Sequence, residues 1–447
     1  MESDIEHIFL IVIDCCRQDY LYASNAETPF LDALAQEAAT FTNAFSQINS
    51  TISSHVTVFT SKYPCDHGVY SNFQKPTRGG LTLPALLERS DWKTLALTGV
   101  GFLSWLMGDW CSYNQTVSWI PALEDPDKRG YGLRKIGIVK ARRSATGTVS
   151  KLVSHLKKGL KKEFFWIHFF DAHLPYRSPK KFLRKHYRGK TKADTSAYEK
   201  ARDLGLFVSH GTARELSSRR PFNFYQAAYR ASIEYIDSEI GRLIRFLKCS
   251  GIWSRSLFIV TSDHGENLAG NGVFCDHSKL FDETIKVPLY WRDPAIKGEK
   301  EIDALVQHVD IYPSILGRLG IEVPAAIRGE SVYPLMEGTS KKVHDFAFSE
   351  HANNYQYTVR TEDWQYIWKN TEREHPEGLE LEDDFLINRR NSKRGERYES
   401  LASHYPEICQ ELRGLGETIL SLPIRDDSES YIVSQSVEEV LKGWGYL

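Results

Sequence analysis

Three apolar runs, each delivering an aspartate at its end, constrain this chain more than any other feature. Residues 8–13 are six apolar residues in a row, mostly β-branched, and Asp14 follows them. Residues 164–170 are apolar or aromatic except for His168, and Asp171 follows. Residues 256–261 lead through Ser262 to Asp263. A fourth run, residues 94–98, stops at Gly99. Continuous apolar runs, in place of alternating ones, mark strands buried on both faces, as in parallel sheets. Parallel strands end on one side of the sheet, which is where ligands bind in open α/β folds. Taken singly, each aspartate is as well explained as a cap on the turn that follows. Three together bring like charges close, and these repel strongly unless a cation sits among them. The pattern therefore predicts a metal site.

Helical patterns alternate with these runs. Thr28-Pro29 provides a cap and a first-turn proline, after which Phe30, Leu31, Leu34, Ala38 and Phe41 share one helical face. Tyr229, Ile233, Ile236, Ile240, Leu243, Ile244 and Leu247 keep spacings of three and four. The expected fold is α/β: a mainly parallel central sheet with helices on both faces. Residues 110–150 and 176–222 are charged and weakly periodic, and read as insertions over one sheet edge. The texture changes after about residue 335, where residues 346–349, 355–360 and 364–369 resemble short strands and 406–422 a helix. This divides the chain into a catalytic domain, 1–335, and a small C-terminal α+β subdomain, 336–447.

Composition narrows the partners. Lys+Arg is 56 and Asp+Glu 58, a net charge of −2, which offers nothing to a nucleic acid. The basic residues at 157–162, continued by Lys180, Lys181, Arg184, Lys185, Arg188, Lys190 and Lys192, read first as a solvated face and second as a rim attracting anions. The seven cysteines form no CxxC pair and suit free thiols in a reducing compartment. No basic, apolar leader opens the sequence and no run is long enough to span a membrane, so a cytoplasmic setting is expected.

Several residues of ligand or nucleophile type flank the strand ends. Asp263 is followed by His264, Gly265 and Glu266, a sequence that can turn an acid and an imidazole toward one metal. His277 and Lys279 follow in a polar loop, and His173 lies two residues beyond Asp171. Thr51 sits where a loop runs into a helix, with Ser53 and Ser54 just behind. Helix N-termini favour anions, so a hydroxyl there is placed to attack a phosphoryl or sulfuryl group. On the segment alone, a simple N-cap role for Thr51 or Ser53 explains it better.

In order along the chain, these residues resemble the sulfatase branch of the alkaline phosphatase superfamily. Asp14 with Arg17 resembles the first metal-binding strand end, and Thr28-Pro29 with Leu31 and Leu34 the first helix. Thr51, Ser54 and His55 followed by Thr60, Pro64, His67 and Gly68 resemble the nucleophile segment. Asp171, His173 and Pro175 resemble a histidine loop. Asp263-His264-Gly265-Glu266, with Asp276-His277 and Val287-Pro288, resembles the second metal-binding block, and His308, Asp310 and Gly329 fit the later pattern. Three positions depart from it. Thr51 stands where sulfatases carry the Cys or Ser oxidised to formylglycine, and the accompanying Pro and Arg are replaced by Ser53 and His55. Cys15 replaces a second aspartate. His264 replaces an asparagine suited to calcium.

The resemblance implies a metal-dependent hydrolase or transferase of phosphate-type esters (phosphomonoester, phosphodiester or phosphonate ester) working through a covalent Thr51 intermediate. Asp14, Thr51, Asp263 and His264 would hold a divalent ion, with zinc or manganese favoured over calcium. His173, His277 and Lys279 would serve the substrate, or Asp171, His173 and His277 would hold a second ion. The alternatives are sulfate-ester hydrolysis without formylglycine, and an inactive homologue that binds anions or glycans.

Overall fold

The first apolar run becomes the middle of the main sheet. In the computed structural model, β1 (His7–Ile13) is buried along its whole length. It pairs in parallel with β5 (Glu163–Phe169) on one side and β6 (Ser256–Thr261) on the other. The structure describes residues 4–22, 25–72, 74, 81–101, 103, 110–111, 113–114, 142–189, 192–218, 220–375, 377–390 and 398–421. The eight strands run in the order β10 (Lys300–Gln307), β2 (Ala39–Phe45), β9 (Lys286–Arg292), β6, β1, β5, β3 (Lys93–Thr98), β4 (Tyr113–Asn114). β9 is antiparallel to both neighbours and every other pairing is parallel. The mainly parallel sheet read from the sequence is thus present.

Each face of the sheet carries its own apolar core. On one face lies the 28-residue helix Phe222–Cys249, whose Tyr229, Ile233, Ile236, Ile240, Leu243, Ile244 and Leu247 are all buried. Helices Pro29–Ala35 and Ala145–Leu156 join it there. On the other face lie Thr51–Thr60, Leu83–Arg89 and Ile311–Arg318. At Gly241 the long helix meets Pro29–Ala35 so closely that a Cβ would lie 2.2 Å from the Phe30 ring.

Three local expectations give way to tertiary pairing. The first helix stops at Ala35, and Phe41 is buried in β2, because residues 39–45 pair with β9 and β10. Thr28 makes no capping bond. The buried Asp237 of the long helix caps that N-terminus instead, accepting from Leu31 N at 2.8 Å and Phe30 N at 3.3 Å. The 176–222 insertion forms Lys180–His186, Ala197–Asp203 and His210–Leu216, the first two packed against the long helix and not over a sheet edge. Most of 110–150 lies outside the described residues.

The C-terminal part is an antiparallel sheet of β11 (Ala347–Glu350), β12 (Gln356–Arg360), β13 (Trp364–Lys369) and β14 (Phe385–Asn388). Helix Pro406–Ser421 packs on it. A hairpin, β7 (Asn267–Leu268) with β8 (Phe274–Asp276), stands above the end of β6. Among the described residues, no helix is long and apolar enough to cross a membrane.

The Gly241 contact is directly testable. Gly241→Leu should destabilise the fold by about 1–3 kcal/mol in urea denaturation, as overpacked cores do. Adding Phe30→Ala should recover part of that loss, since it removes the ring the new side chain meets.

Candidate active site

Strand ladders aim two acids at one point. The Asp14 amide donates to Phe169 O at 2.9 Å, which continues the β1–β5 pairing past the end of β1. Asp263 lies two residues beyond β6. Both side chains are buried, and Asp14 Oδ2 and Asp263 Oδ2 have no hydrogen-bond partner. His168 of β5 sits with them. Its Nε2 lies 3.2 Å from Asp14 Oδ2 without hydrogen-bond geometry, and neither ring nitrogen is hydrogen-bonded. Ligand atoms of Asp14, His168 and Asp263 all fall within 4.8 Å of one another.

Leaving a charged group buried and unpaired is costly. Burial pushes the Asp14 carboxyl up. Burial, and then the charge on Asp14, push Asp263 up to about 6. Burial holds His168 down at about 4, so its imidazole is neutral and its lone pair is available. Two acids short of compensating charge beside a neutral imidazole are a donor set that fits a cation.

Thr51 opens helix Thr51–Thr60, all ten residues of which are buried. It is not the cap: Ser50 holds that position, and the Asn72 side chain accepts from Ile52 N at 2.8 Å. Ser53 donates its hydroxyl to Val69 O, and Ser54 donates to Asp263 O at 2.8 Å. Thr51 Oγ1 lies 3.4 Å from His264 Nε2. His264 Nδ1–H donates to Gly265 O at 2.9 Å, which leaves the Nε2 lone pair facing Thr51 and, at 3.6 Å, Asp263 Oδ2. The turn that aims His264 requires glycine at 265, where a Cβ would lie 2.0 Å from Glu283 O. One turn into the helix, His55 Nδ1–H donates to Thr51 O at 2.7 Å, and its buried Nε2 has no partner.

The two remaining imidazoles border the same space. The His277 ring lies 4.4 Å from His264 and 6.3 Å from His173. Asn49 Nδ2 anchors the loop by donating to His277 O at 2.7 Å. His173 stacks on Phe170 at 4.4 Å and donates its Nδ1–H to Leu174 O at 2.7 Å. Burial, with the Arg142 charge behind it, holds His173 well below its ordinary range. Cys15, which the sequence reading set aside as a departure, places Sγ 3.1 Å from Asp14 Oδ1.

Two expected members stand apart. Asp171 accepts from Ala145 N at 2.9 Å and caps helix Ala145–Leu156, and burial raises its carboxyl to about 7. A second ion held by Asp171, His173 and His277 is therefore not what the fold assembles; the cap on the neighbouring helix takes the acid away. Lys279 is buried with its Nζ 2.6 Å from Glu382, so its charge is committed to the C-terminal part. Sequence reasoning missed His168 and His55. His168 had a visible signal, being the one polar residue in a run of seven; His55 had none beyond its place in the nucleophile segment. It also passed over Glu266, a buried acid that accepts from Tyr176 OH at 3.2 Å.

Comparison with known proteins agrees with this fold. The family model described as Sulfatase matches residues 6–321, and that described as N-sulphoglucosamine sulphohydrolase, C-terminal, matches residues 270–413. Arylsulfatase K of Danio rerio is 29% identical over 224 residues, covering 48% of this chain and 39% of the relative. N-acetylglucosamine-6-O-sulfatase of Bacteroides thetaiotaomicron is 32% identical over 154 residues, covering 32% and 27%. The chain thus spans well under half the length of these relatives. Among solved structures, the phosphonate monoester hydrolase SpPMH from Silicibacter pomeroyi superposes with a TM-score of 0.68 at 17% identity, over 93% of this chain and 94% of that one. BT4656 in complex with its substrate D-glucosamine-2-N,6-O-disulfate superposes with a TM-score of 0.71 at 19% identity, over 93% and 98%. These likenesses are of fold.

The unpaired acids predict opposite effects of one substitution. With chelator present, Asp14→Asn should raise thermal stability, by about 1–3 kcal/mol, because it removes one of two repelling buried charges. With a saturating divalent ion the same variant should be the less stable protein, since it forfeits a ligand. Equal destabilisation in both thermal scans would make Asp14 a purely structural acid.

Proposed function

The chain belongs to the sulfatase family, and on that premise we propose that it is a metal-dependent hydrolase, or transferase, of phosphate-type esters that uses Thr51 as its nucleophile. The observation that carries the reading is the hydroxyl inventory at the head of helix Thr51–Thr60. Ser53 and Ser54 spend their hydroxyls on backbone carbonyls, while Thr51 Oγ1 faces His264 Nε2 beside the two unpartnered carboxylates.

Asp14, Asp263 and His264, with Thr51, are the residues that would hold a divalent ion. When bound, such an ion neutralises the acids and lowers the pKa of a coordinated hydroxyl. The imidazole donor favours zinc or manganese over calcium. Thr51 Oγ1 would give up its proton to solvent and bond to phosphorus as the ester oxygen departs with its electron pair and takes a proton from solvent. The positive end of the helix dipole would favour the charge that builds on the transferred group. Water resolves the covalent ester. His173, neutral and with Nδ1–H already committed, offers Nε2 to take the proton of that water. Asp171 and Lys279 have no part in this scheme, because their charges are engaged elsewhere.

A second reading is sulfate-ester hydrolysis, and the names of the relatives favour it. The two anions share shape and charge distribution. Threonine cannot be oxidised to formylglycine, so either reaction would pass through an ester of Thr51 itself. A panel of aryl phosphates, phosphodiesters, phosphonates and sulfates, assayed with added zinc, manganese or calcium, separates the two.

The nucleophile is tested by substitution and by mass. Thr51→Ala should lower turnover by at least about 10³-fold, whereas Thr51→Ser should keep part of it, since the hydroxyl survives. Mass spectrometry of enzyme quenched during turnover should find the phosphate or sulfate adduct on Thr51. Finding it on Ser53 or Ser54, or full activity in Thr51→Ala, overturns the assignment.

A further inference from the structure

Arg142 and Arg143, just before helix Ala145–Leu156, and Arg177, beyond β5, line one cavity of about 390 Å³. Small-molecule sites span roughly 300–1,000 Å³, so the volume is that of a ligand site. It has room for on the order of ten water molecules at roughly 30 Å³ each, more than a lone tetrahedral oxyanion displaces. Phe170 and Tyr235 add apolar wall. The Phe170 ring carries the Arg142 guanidinium at 4.0 Å and stacks on His173 at 4.4 Å. Leu174 O accepts from both Arg142 Nη2 at 2.9 Å and His173 Nδ1 at 2.7 Å. The cavity therefore adjoins the wall of the candidate active site that His173 forms.

Its charge is one-sided. Asp171 is the single acid of the lining, and it is buried and engaged with Ala145 N at 2.9 Å. Buried arginines elsewhere meet carboxylates. Against burial, which pulls them down, Asp19 raises Arg17, Asp293 raises Arg318 and Asp66 raises Arg328. Arg143 moves the other way, lowered by burial. The amides of the adjoining helix are spent: Ala145 N on Asp171, Thr146 N on Tyr235 OH at 2.9 Å, Gly147 N on Ser144 Oγ at 3.3 Å. An anion in the cavity is therefore held by guanidinium groups, whose forked donors match an oxyanion. Outside, helix Lys180–His186 starts beside Pro179 of the lining. Lys185 and His186 are paired with Glu27 and Glu234, while Lys180, Lys181 and Arg184 are exposed and pair with no acid among the described residues. These charges draw anions toward the opening.

We propose that this cavity seats a second oxyanion group of the ester substrate, a sulfate, phosphate or carboxylate borne on the same molecule as the bond that is cleaved. The apolar wall and the spare volume suit the ring or chain that carries such a group, whereas a free inorganic oxyanion leaves much of the space to water. Arg143 and Arg177 then set a preference for substrates with two anionic groups. The assignment to the substrate rests on the ester reading above; the oxyanion site does not.

Isothermal titration of chelator-treated protein with inorganic sulfate reads the site by itself, because the two acids without a cation repel an anion from the Thr51 side. Wild-type protein and Arg202→Gln, a control outside the lining, should bind one sulfate per chain. Arg143→Gln and Arg177→Gln, each checked by circular dichroism to be folded, should bind it at least about tenfold more weakly. Turnover by metal-loaded enzyme of matched aryl phosphates, with and without a sulfonate on arms of increasing length, then identifies the source of the group. Wild-type enzyme should prefer a sulfonate-bearing ester in kcat/KM, and both variants should lose at least about tenfold of that preference. Failure of wild-type protein to bind sulfate, or binding unchanged in both variants, overturns the oxyanion site. Sulfate held by the arginines without any sulfonate preference makes the ligand a free oxyanion and overturns the assignment to the substrate. Absence of turnover on every ester overturns that assignment together with the ester reading, while the sulfate titration, which needs neither metal nor reaction, still decides the site.

Discussion

Two carboxylates buried at the ends of neighbouring parallel strands, each with an oxygen left unpartnered, are the constraint on which the rest of the site depends. The β1–β5 and β1–β6 ladders hold Asp14 and Asp263 close whatever their mutual repulsion, because the sheet beneath them is buried on both faces. A cation resolves the conflict at little further cost, since the ligands need not be gathered from a flexible chain. His168 and His55, both neutral through burial, line the same space and add donors where a water molecule would otherwise be needed.

The segments that complete the site are each held by long-range bonds. Gly265 turns so tightly against Glu283 that no side chain fits, and this turn aims His264 at Thr51. Ser54, one residue from an alternative nucleophile, ties the head of helix Thr51–Thr60 to Asp263 O. The C-terminal part closes another wall. Glu382 takes the charge of Lys279, and His351 Nε2 accepts from the Lys279 amide at 3.4 Å. Glu350 binds Cys65 N at 2.8 Å and Tyr70 OH at 3.0 Å, fastening the smaller sheet to the segment beyond helix Thr51–Thr60.

Much of this was legible in the sequence, for an identifiable reason. Strand cores, the long helix and the acids at the strand ends are local patterns: a run of apolar residues, a spacing of three and four, a residue next in line. Asp14, Asp263 and His264 were picked out that way, Thr51, His173 and His277 chiefly through the family resemblance, and the fold brings them to one edge of the sheet. Asp171 and Lys279 were picked out as well, and the fold engages their charges away from the other candidates. Asp171 had a helix to cap and Lys279 an acid to meet, and both partners come from other parts of the chain.

By itself, then, the sequence determined the α/β class, the buried strands of a mainly parallel sheet and a list of residues able to carry chemistry, because burial on both faces and helical periodicity are written in contiguous stretches. Only the tertiary structure decided which hydroxyl faces His264, which nitrogen of each imidazole faces the site, and that His168 stands beside the two acids. It also set Cys15 beside Asp14 and its neighbour Cys16 in the core. Those distinctions depend on which side chain a carbonyl or amide from a distant segment engages first, and that competition is decided only when the chain is packed.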